Sequence, residues 1–417
     1  MDNKKDIESL IEIAKSQNYK INLSMILISL KVETEEIPEI IETFANEGIE
    51  VITDDVELES ENNVVDNDPN VVPFDPSKID IESKALTIDS ILKKIKYEEL
   101  ELDSSFQRKA GLWTPKQKSQ LIESLLLKIP LPTFYFDASN DEKWQIIDGL
   151  QRISTLKDFA VDKSLTLVGM EFLKDLNGTK YDDLPRSLQR RLEETNVNTY
   201  IVKPTTPKNV KFNIFKRINT GGLILEPQEI RNALYQGQAS EYLLKLSKNI
   251  QFLEATGYSI KPTRMLDREF CLRYVSFTEL SLDSYTGNLD DFLNSGMDYL
   301  GKITEDKLNT IESNFSRNMT AAKKIFGQYA FRKVVNERRG PVNKAFFEMW
   351  AYTLNKLSDT EIDNLISKKS LVQDAFFNLF DDYRFMNNIK AADKTSVNNR
   401  INSIVELVKQ FISGENK

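Results

Sequence analysis

The stretch Trp144-Gln145-Ile146-Ile147-Asp148-Gly149-Leu150-Gln151-Arg152 decides how the central part of this chain folds. Its first four residues are a short, mainly apolar run, which predicts a β-strand. The residues from Gln151 to Phe159 carry apolar side chains at helical spacing and predict an amphipathic helix. The pattern therefore predicts a strand that turns into a helix at Asp148-Gly149.

This turn has the chemistry of an anion site. The first N–H groups of a helix have no partner within the helix and can bind a phosphate. Gly149 lets a ligand approach the backbone closely, and Arg152 offers a planar, permanently charged set of donors. The same residues also allow a structural interpretation, in which Asp148 caps the helix and Arg152 forms a buried ion pair.

The segments on either side extend this unit. Residues 133–136 and 143–147 predict two strands of a hairpin that leads into the turn. Upstream, Thr87–Ile95 predicts one helix, and Thr114-Pro115 predicts the start of a second. Ile129-Pro130-Leu131-Pro132 ends that second helix, because proline cannot continue the hydrogen-bond ladder.

The composition excludes several classes of site. The 417-residue chain has no histidine and a single cysteine, Cys271. A Ser-His-Asp triad, an HNH-type nuclease centre and a zinc site of His or several Cys ligands are therefore excluded. Chemistry in this chain has to use carboxylates, Arg, Lys, hydroxyl groups, backbone groups or a hard metal such as magnesium.

The sequence also bears on where the protein works. It has no apolar run of about twenty residues and no apolar signal-peptide core, so we expect no membrane partner. The lone cysteine is typical of a reducing compartment. We therefore expect a cytoplasmic protein, and the chain is long enough for two or three domains.

Charge is distributed unevenly along the chain. Residues 1–82 contain 21 Asp or Glu and 6 Lys, a net charge of −15, and the rest contain 43 acidic and 49 basic residues, a net charge of +6. Such a split is typical of an interaction arm, although a solvated acidic tail has the same composition. Residues 56–82 are rich in Asp, Glu, Asn and Pro, and we interpret them as a disordered linker.

The acidic N-terminal region, residues 1–55, predicts three short helices and, at Ile49–Ile52, a short strand after Gly48. The order of Leu10–Gln17, Tyr19–Leu30 and Ile37–Glu42 before this strand resembles region 1.1 of the principal bacterial sigma factors. That resemblance implies a module that mimics DNA or docks on RNA polymerase. A small helical appendage without such a role is the alternative.

A second glycine cluster, Arg217-Ile218-Asn219-Thr220-Gly221-Gly222, ends one predicted helix and precedes another that runs from Pro227 to Gly237. Adjacent glycines with Asn and Thr form a polar turn that can wrap a ligand. A plain corner between two helices would use the same residues.

Together these motifs resemble the family that supplies the N-terminal domain of GmrSD-type modification-dependent restriction enzymes. The matching stretches, in chain order, are Phe106-Gln107-Arg108 with Trp113, Leu121–Ser124, Ile129–Pro132, Asp148–Arg152, and Arg217–Gly222 through Glu229-Ile230-Arg231. The usual pentapeptide of the family is Asp-Gly-Gln-Gln-Arg, so Leu150 is a departure that removes one polar group. The resemblance implies a core related to the ParB and sulfiredoxin fold.

The resemblance also implies binding and hydrolysis of a nucleoside triphosphate, coupled to action on foreign or modified DNA. Asp148, Gln151 and Arg152 would be catalytic, with Glu123 as a second carboxylate unless it only makes a surface or capping contact. Asp148 would hold Mg²⁺ or orient water. The nucleotide-binding residues would be Arg108, Gly149, Arg152, Ser154, Arg217, Asn219, Thr220 and Gly221.

Residues 241–417 predict successive helices without convincing strand alternation. A cluster of basic residues in this region could contact DNA phosphates or the acidic N-terminal region, or could be a solvated surface. A second group of charges, from Arg264 to Arg273, is explained by ion pairs within one helix. The basic cluster consists of Arg332, Lys333, Arg338, Arg339 and Lys344.

We therefore expect an α+β protein with a ParB/sulfiredoxin-like small-sheet core in residues 83–240. A large all-helical domain in residues 241–417 follows it, and a small helical domain precedes it. The first functional hypothesis is a nucleoside triphosphatase in defence against foreign DNA that lacks its own HNH nuclease and works with or without a separate nuclease. The alternative is a nucleotide- or DNA-sensing regulator without turnover. The hypothesis of direct DNA nicking by carboxylates and a metal has less support, because the sequence shows no paired spacing of metal ligands.

Overall fold

The protein has an α+β fold with a small mixed sheet and a large helical region. The computed structural model describes residues 79–102, 113–218, 225–335 and 338–412, with single residues and short stretches between 7 and 52. The chain divides into two compact units, with a boundary between Leu234 and Tyr235. One unit is residues 72–234, and the other combines residues 1–71 with 235–417.

The described part of the N-terminal region contains two short parallel strands, β1 (Lys20–Asn22) and β2 (Glu50–Ile52). The predicted strand at Ile49–Ile52 is confirmed, and Gly48 before it has a left-handed φ of 75°. Strand β1 was not predicted. The described residues of the predicted helices are helical, and their apolar side chains share a core with Ile21 of β1 and with Ile49. The helical members of this core are Leu10, Ala14, Ile26, Leu30, Ile40 and Phe44.

A five-stranded mixed sheet forms the centre of the unit of residues 72–234. Its strands lie in the order β3-β7-β5-β6-β4. Strand β5 is antiparallel to β6 and parallel to β7, so the predicted hairpin of residues 133–147 is confirmed. The strands are β3 (Ile81–Thr87), β4 (Leu100–Glu101), β5 (Phe134–Asp137), β6 (Trp144–Asp148) and β7 (Asn196–Val202).

Within the described residues of this unit, six α-helices accompany the sheet. The predicted starts of the first two are confirmed: the Thr87 side chain caps α1, and Thr114 forms a capping box with Gln117 ahead of Pro115 in α2. The third helix continues without a break into one π-helical turn, Lys157–Val161. The helices are α1 (Ile88–Lys96), α2 (Pro115–Leu126), α3 (Leu150–Leu156), α4 (Arg186–Glu194), α5 (Lys208–Ile218) and α6 (Pro227–Leu234).

The sequence did not predict two strands of the sheet, β3 and β7. Residues 81 and 82, assigned above to a linker, begin the edge strand β3, which pairs along its whole length with β7. The middle of β3, Ser83-Lys84-Ala85, is exposed, so its sequence lacks the apolar alternation of a half-buried strand. A strand with few buried positions has little apolar alternation in its sequence. Its formation depends on pairing with a neighbouring strand that can be distant along the chain.

The C-terminal region is largely helical, as predicted, with one correction. Strands β8 (Arg332–Val335) and β9 (Arg338–Val342) form an antiparallel hairpin where only helices were expected. No helix in the described residues is long and apolar enough to cross a membrane. The helices are α7 (Gln238–Ser247), α8 (Ile250–Thr256), α9 (Leu266–Glu279), α10 (Leu289–Leu300), α11 (Glu305–Phe326), α12 (Lys344–Lys356), α13 (Asp359–Ser367), α14 (Lys369–Asn378), α15 (Tyr383–Lys390) and α16 (Lys394–Ile412).

A buried charge network joins three of these helices. Arg273 of α9 donates to Glu269 one turn earlier, at 2.6 Å, and also to Glu348 of α12. The Glu348 side chain is fully buried and accepts a second bond, of 2.6 Å, from Arg400 of α16. Lys344 completes the set with a 3.0 Å ion pair to Glu269. The predicted pairing within one helix therefore extends across helices, which explains why these charges can be buried.

The network predicts a dependence of stability on pH. Burial alone would raise the pKa of Glu269, but Arg273 and Lys344 outweigh it and hold that pKa at about 2. Because the folded-state pKa lies below the ordinary value of 4.5, the ionised Glu269 stabilises the protein fully above that value. This contribution is lost as the pH falls toward 2.

We expect Glu269→Gln to lower the free energy of unfolding at pH 7 by more than it does at about pH 3.5. Urea unfolding of both proteins at the two pH values measures this difference. Glu406→Gln is the matched control, because Glu406 forms an exposed pair with Lys409 and should change stability little at either pH. An equal loss for Glu269→Gln at both values would contradict the prediction.

Candidate functional site

The predicted strand-turn-helix unit is confirmed by the structure. Strand β6 ends at Asp148, Gly149 has a φ of 104° in the left-handed region, and α3 begins at Leu150. The Gly149 carbonyl accepts the first helical hydrogen bond, of 2.9 Å, from the Ile153 N–H. Gly149 has no side chain to cap the helix, so no side-chain cap covers the first turn.

Glycine is required at position 149 for two reasons. A φ of 104° is strained for any residue with a Cβ atom. An added Cβ would also lie 2.6 Å from Cδ1 of Phe134, which is fully buried in the core below the turn. The turn is therefore packed directly onto the sheet through Phe134.

Arg152 points back toward the sheet. Its Nη2 donates to the Asp148 carboxylate at 2.9 Å and to the Thr133 carbonyl at 3.3 Å, and its Nη1 donates to the Pro132 carbonyl. The guanidinium carbon lies 4.2 Å from the centre of the Phe134 ring. The ion pair that was the structural interpretation of the motif is therefore present.

The two charges of this pair are not equally buried. The Arg152 side chain is 10% exposed and the Asp148 side chain is 38% exposed. Burial lowers the pKa of Arg152, and the charge of Asp148 opposes this. Asp148 is therefore the part of the pair that a ligand can reach first, with Arg152 behind it.

Gln151 lies next to the start of the preceding helical segment. Its Oε1 accepts a 3.4 Å bond from the backbone N–H of Trp113. Leu150, the departure from the family's pentapeptide, packs against the apolar core.

Only some of the other residues assigned to nucleotide binding lie in the described part of the chain. Ser154 is buried in α3, and Arg217 is exposed on the last turn of α5. The predicted helices on both sides of the second glycine cluster are confirmed as α5 and α6. Arg108, Asn219, Thr220 and Gly221 lie outside the described residues.

Glu123 of α2 has a structural set of contacts. Its carboxylate accepts backbone N–H bonds from Glu171 at 3.1 Å, Phe172 at 2.8 Å and Leu173 at 2.7 Å. Burial raises the pKa of Glu123, but the three hydrogen bonds outweigh it and lower that pKa. Glu123 thus fixes the 171–173 loop on α2, and its assignment as a second catalytic carboxylate stays a prediction.

A buried pair that the sequence analysis missed attaches α5 to the sheet. Lys211 Nζ lies 3.0 Å from Asp137 Oδ1 at the end of β5, and both side chains are 3% exposed. Ser139 supports the pair by donating its backbone N–H to Asp137 at 2.9 Å. The only signal in the sequence was Asp137 at the start of a polar turn, which is a common place for an aspartate.

The basic cluster of the C-terminal region is not one exposed patch. Arg332 is 1% exposed and donates to the carbonyls of Gly340 and Thr256 at 2.8 and 2.6 Å, so it cannot meet DNA as it stands. Lys344 is engaged with Glu269, as described above. Arg338 is exposed, and Lys333 and Arg339 are half-buried. A DNA contact by these three residues stays a prediction.

The described residues do not include any group of three or more Cys, Asp or Glu side chains that could hold a metal ion. Asp148 alone nevertheless fits Mg²⁺, which commonly binds one or two carboxylates and completes its shell with substrate phosphates and water.

Comparison with known proteins identifies the class of the domain. Residues 88–236 match the family described as GmrSD restriction endonuclease, N-terminal domain. The matched stretch, which spans the sheet strands from β4 onward, the Gly149 turn and helices α1 to α6, is therefore similar to this domain family, and the similarity supports a restriction-related role. No curated protein and no solved structure was found to be similar to the chain.

We expect Gly149→Ala to destabilise the protein by roughly 2–4 kcal/mol, since it combines a strained φ with overpacking against Phe134. Gly178→Ala is the matched control. Gly178 also has a positive φ, 85°, but nothing lies within 4 Å of the position of its Cβ. Chemical denaturation should therefore show a smaller loss for Gly178→Ala, and equal losses would contradict the role of Phe134.

Proposed function

We propose that this protein binds a nucleoside triphosphate at the Asp148–Arg152 turn and hydrolyses it as part of a restriction activity against foreign or modified DNA. The observation that carries the proposal is the Asp148–Arg152 ion pair at a glycine turn, within a domain of the GmrSD N-terminal family. The family suggests interaction with DNA. Nucleotide binding and turnover are inferred from the chemistry of the turn.

The ion pair offers complementary charges to a magnesium nucleotide. In the structure Asp148 and Arg152 neutralise each other at 2.9 Å. A bound nucleotide brings a metal cation for the carboxylate and phosphate oxygens for the guanidinium, so each protein charge finds a new partner of the correct sign. The exchange avoids leaving the largely buried charge of Arg152 without a partner.

Further groups support a phosphate at this position. The Gly149 turn leaves the first N–H groups of α3 without a side-chain cap, and backbone N–H groups are good ligands for phosphate oxygens. Gln151 would orient the attacking water, as a glutamine does in several nucleotide hydrolases. Magnesium, when bound at Asp148, would neutralise charge on the phosphates.

The remaining assignments belong to the same proposal. Arg108 and Arg217 would add positive charge to the phosphates, and Ser154 would support the site from within α3. Asn219, Thr220 and Gly221 would close over the base or sugar. Glu123, whose carboxylate is engaged with the 171–173 loop, would be the second carboxylate of the site.

We expect a nucleoside triphosphate with Mg²⁺ to raise the melting temperature of the purified chain, since a ligand at 100 times its Kd adds about 2.7 kcal/mol to stability. Asp148→Asn should abolish most of this shift and lower phosphate release by about 10–100-fold. Thermal shift with each of the four ribonucleotides, with and without Mg²⁺, and a phosphate-release assay measure these effects.

Asp158→Asn is the control for this experiment. Asp158 forms a comparable, partly buried ion pair with Lys118, at 2.6 Å, outside the motif. It should keep both the shift and the phosphate release. Arg152→Lys is preferable to Arg152→Ala, because a lysine keeps the charge near the carbonyls that Arg152 now binds. The proposal fails if no nucleotide shifts the wild type, or if Asp148→Asn and Asp158→Asn behave alike.

Binding without turnover is the second candidate. The observation that favours it is Leu150, which replaces a polar group of the family's motif and packs into the core. In that case the thermal shift would be present while phosphate release stays at the level of a protein-free blank. The chain would then sense a nucleotide or modified DNA, and the acidic N-terminal region would regulate it or dock on RNA polymerase.

A further inference from the structure

A groove of about 570 Å³ lies on the unit of residues 72–234 and is separate from the motif itself. One wall is the end of α2 with the Ile129-Pro130-Leu131 segment, and the other is α4 with the start of β7.

The groove carries an excess of positive charge. Lys128, Arg190 and Arg191 line it, together with one acidic residue, Glu194. Arg190 lies 3.8 Å from Glu194, and both side chains are more than half exposed, so this pair is weak. Arg191 makes a long 3.4 Å bond to the Leu126 carbonyl. These cations are therefore available to an anionic ligand.

Apolar and uncharged polar groups lie between the cations. Ile129 is 47% exposed although it is a large aliphatic residue, and Leu131 continues the same wall. Ser187 and Asn196 supply uncharged polar groups on the opposite wall. A nucleic acid strand presents the matching alternation, with anionic phosphates separated by sugars that have apolar faces.

Lys128 occupies a backbone position that favours glycine. Its φ is 57°, and it sits after the end of α2, where the Ile129 N–H donates to the Ser124 carbonyl at 2.8 Å and the Lys128 N–H to the Leu125 carbonyl at 3.0 Å. This is a Schellman motif, in which glycine usually takes the left-handed position. A lysine in this left-handed position costs stability relative to glycine.

We propose that this groove binds the sugar-phosphate backbone of DNA, with Lys128, Arg190 and Arg191 contacting phosphates and Ile129 and Leu131 contacting sugars. The proposal goes beyond nucleotide binding at the Gly149 turn and does not depend on it. The family suggests a contact with DNA, and the proposal assigns that contact to a location on this chain.

The test uses the full chain and a labelled duplex oligonucleotide, without nucleotide or Mg²⁺. Fluorescence anisotropy over a range of salt concentrations should show that Arg190→Gln/Arg191→Gln lowers affinity about tenfold or more at low salt. The same variant should reduce the salt slope by about 2, since each lost phosphate contact reduces it by about 1. Lys174→Gln/Lys180→Gln removes two exposed charges of the same unit outside the groove and should leave both quantities unchanged.

Lys128→Gly separates function from folding. It should raise the melting temperature, because glycine relieves the left-handed strain, and it should weaken DNA binding. Glu98→Gly is the matched control, because Glu98 occupies the equivalent position after α1, with a φ of 59° and the same pair of backbone bonds. It should raise the melting temperature without weakening DNA binding.

Three results would overturn the proposal. The first is equal affinity of Arg190→Gln/Arg191→Gln and the wild type for DNA. The second is an equal loss in the Lys174→Gln/Lys180→Gln control, which would indicate non-specific attraction to the whole surface. The third is binding of poly-glutamate with the same dependence on Lys128, Arg190 and Arg191, which would assign the groove to an acidic polypeptide.

Discussion

The hydrogen bonds of the Arg152 guanidinium hold together the three segments that form the candidate site. Arg152 belongs to α3, its ion-pair partner Asp148 ends β6, and the carbonyls of Pro132 and Thr133 precede β5. Of these acceptors, Thr133 is half-buried next to Phe134 of the apolar core, where an unmade hydrogen bond is costly, whereas Pro132 is exposed. One side chain therefore fixes the geometry of the Gly149 turn.

The same contacts connect the turn to the cationic groove. Leu131 lines the groove, and the carbonyl of the next residue, Pro132, is bound by Arg152. A ligand in the groove that moved this segment would change the acceptors of Arg152, and with them its balance between protein carbonyls, Asp148 and an incoming phosphate. Reciprocally, a nucleotide that drew Arg152 outward would release the segment. Binding at either site would then shift the conformation of the same short segment, Ile129-Pro130-Leu131-Pro132.

The sequence predicted what depends on local pattern. The apolar run before Asp148, the glycine of the turn and the Thr114 cap were predicted correctly, because each is determined by neighbours along the chain. Features that depend on distant partners were missed. Strand β3 pairs with β7, which lies far from it along the chain, and Arg332 is buried where carbonyls from two separate segments surround it. The sequence alone shows that Arg152 is charged, but the direction in which its side chain points is known only from the fold.

Leu150 narrows the chemistry that the turn can perform. A polar residue at this position in the family would suggest a direct part in the reaction, yet the first residue of α3 packs against the core in this chain. Leucine gains apolar burial there, so the substitution is compatible with the fold. The polar groups left at the surface of the motif are those of Asp148 and Gln151. Any hydrolysis at this turn therefore has to use the Asp148 carboxylate and Gln151, whose Oε1 already accepts a hydrogen bond from the Trp113 backbone.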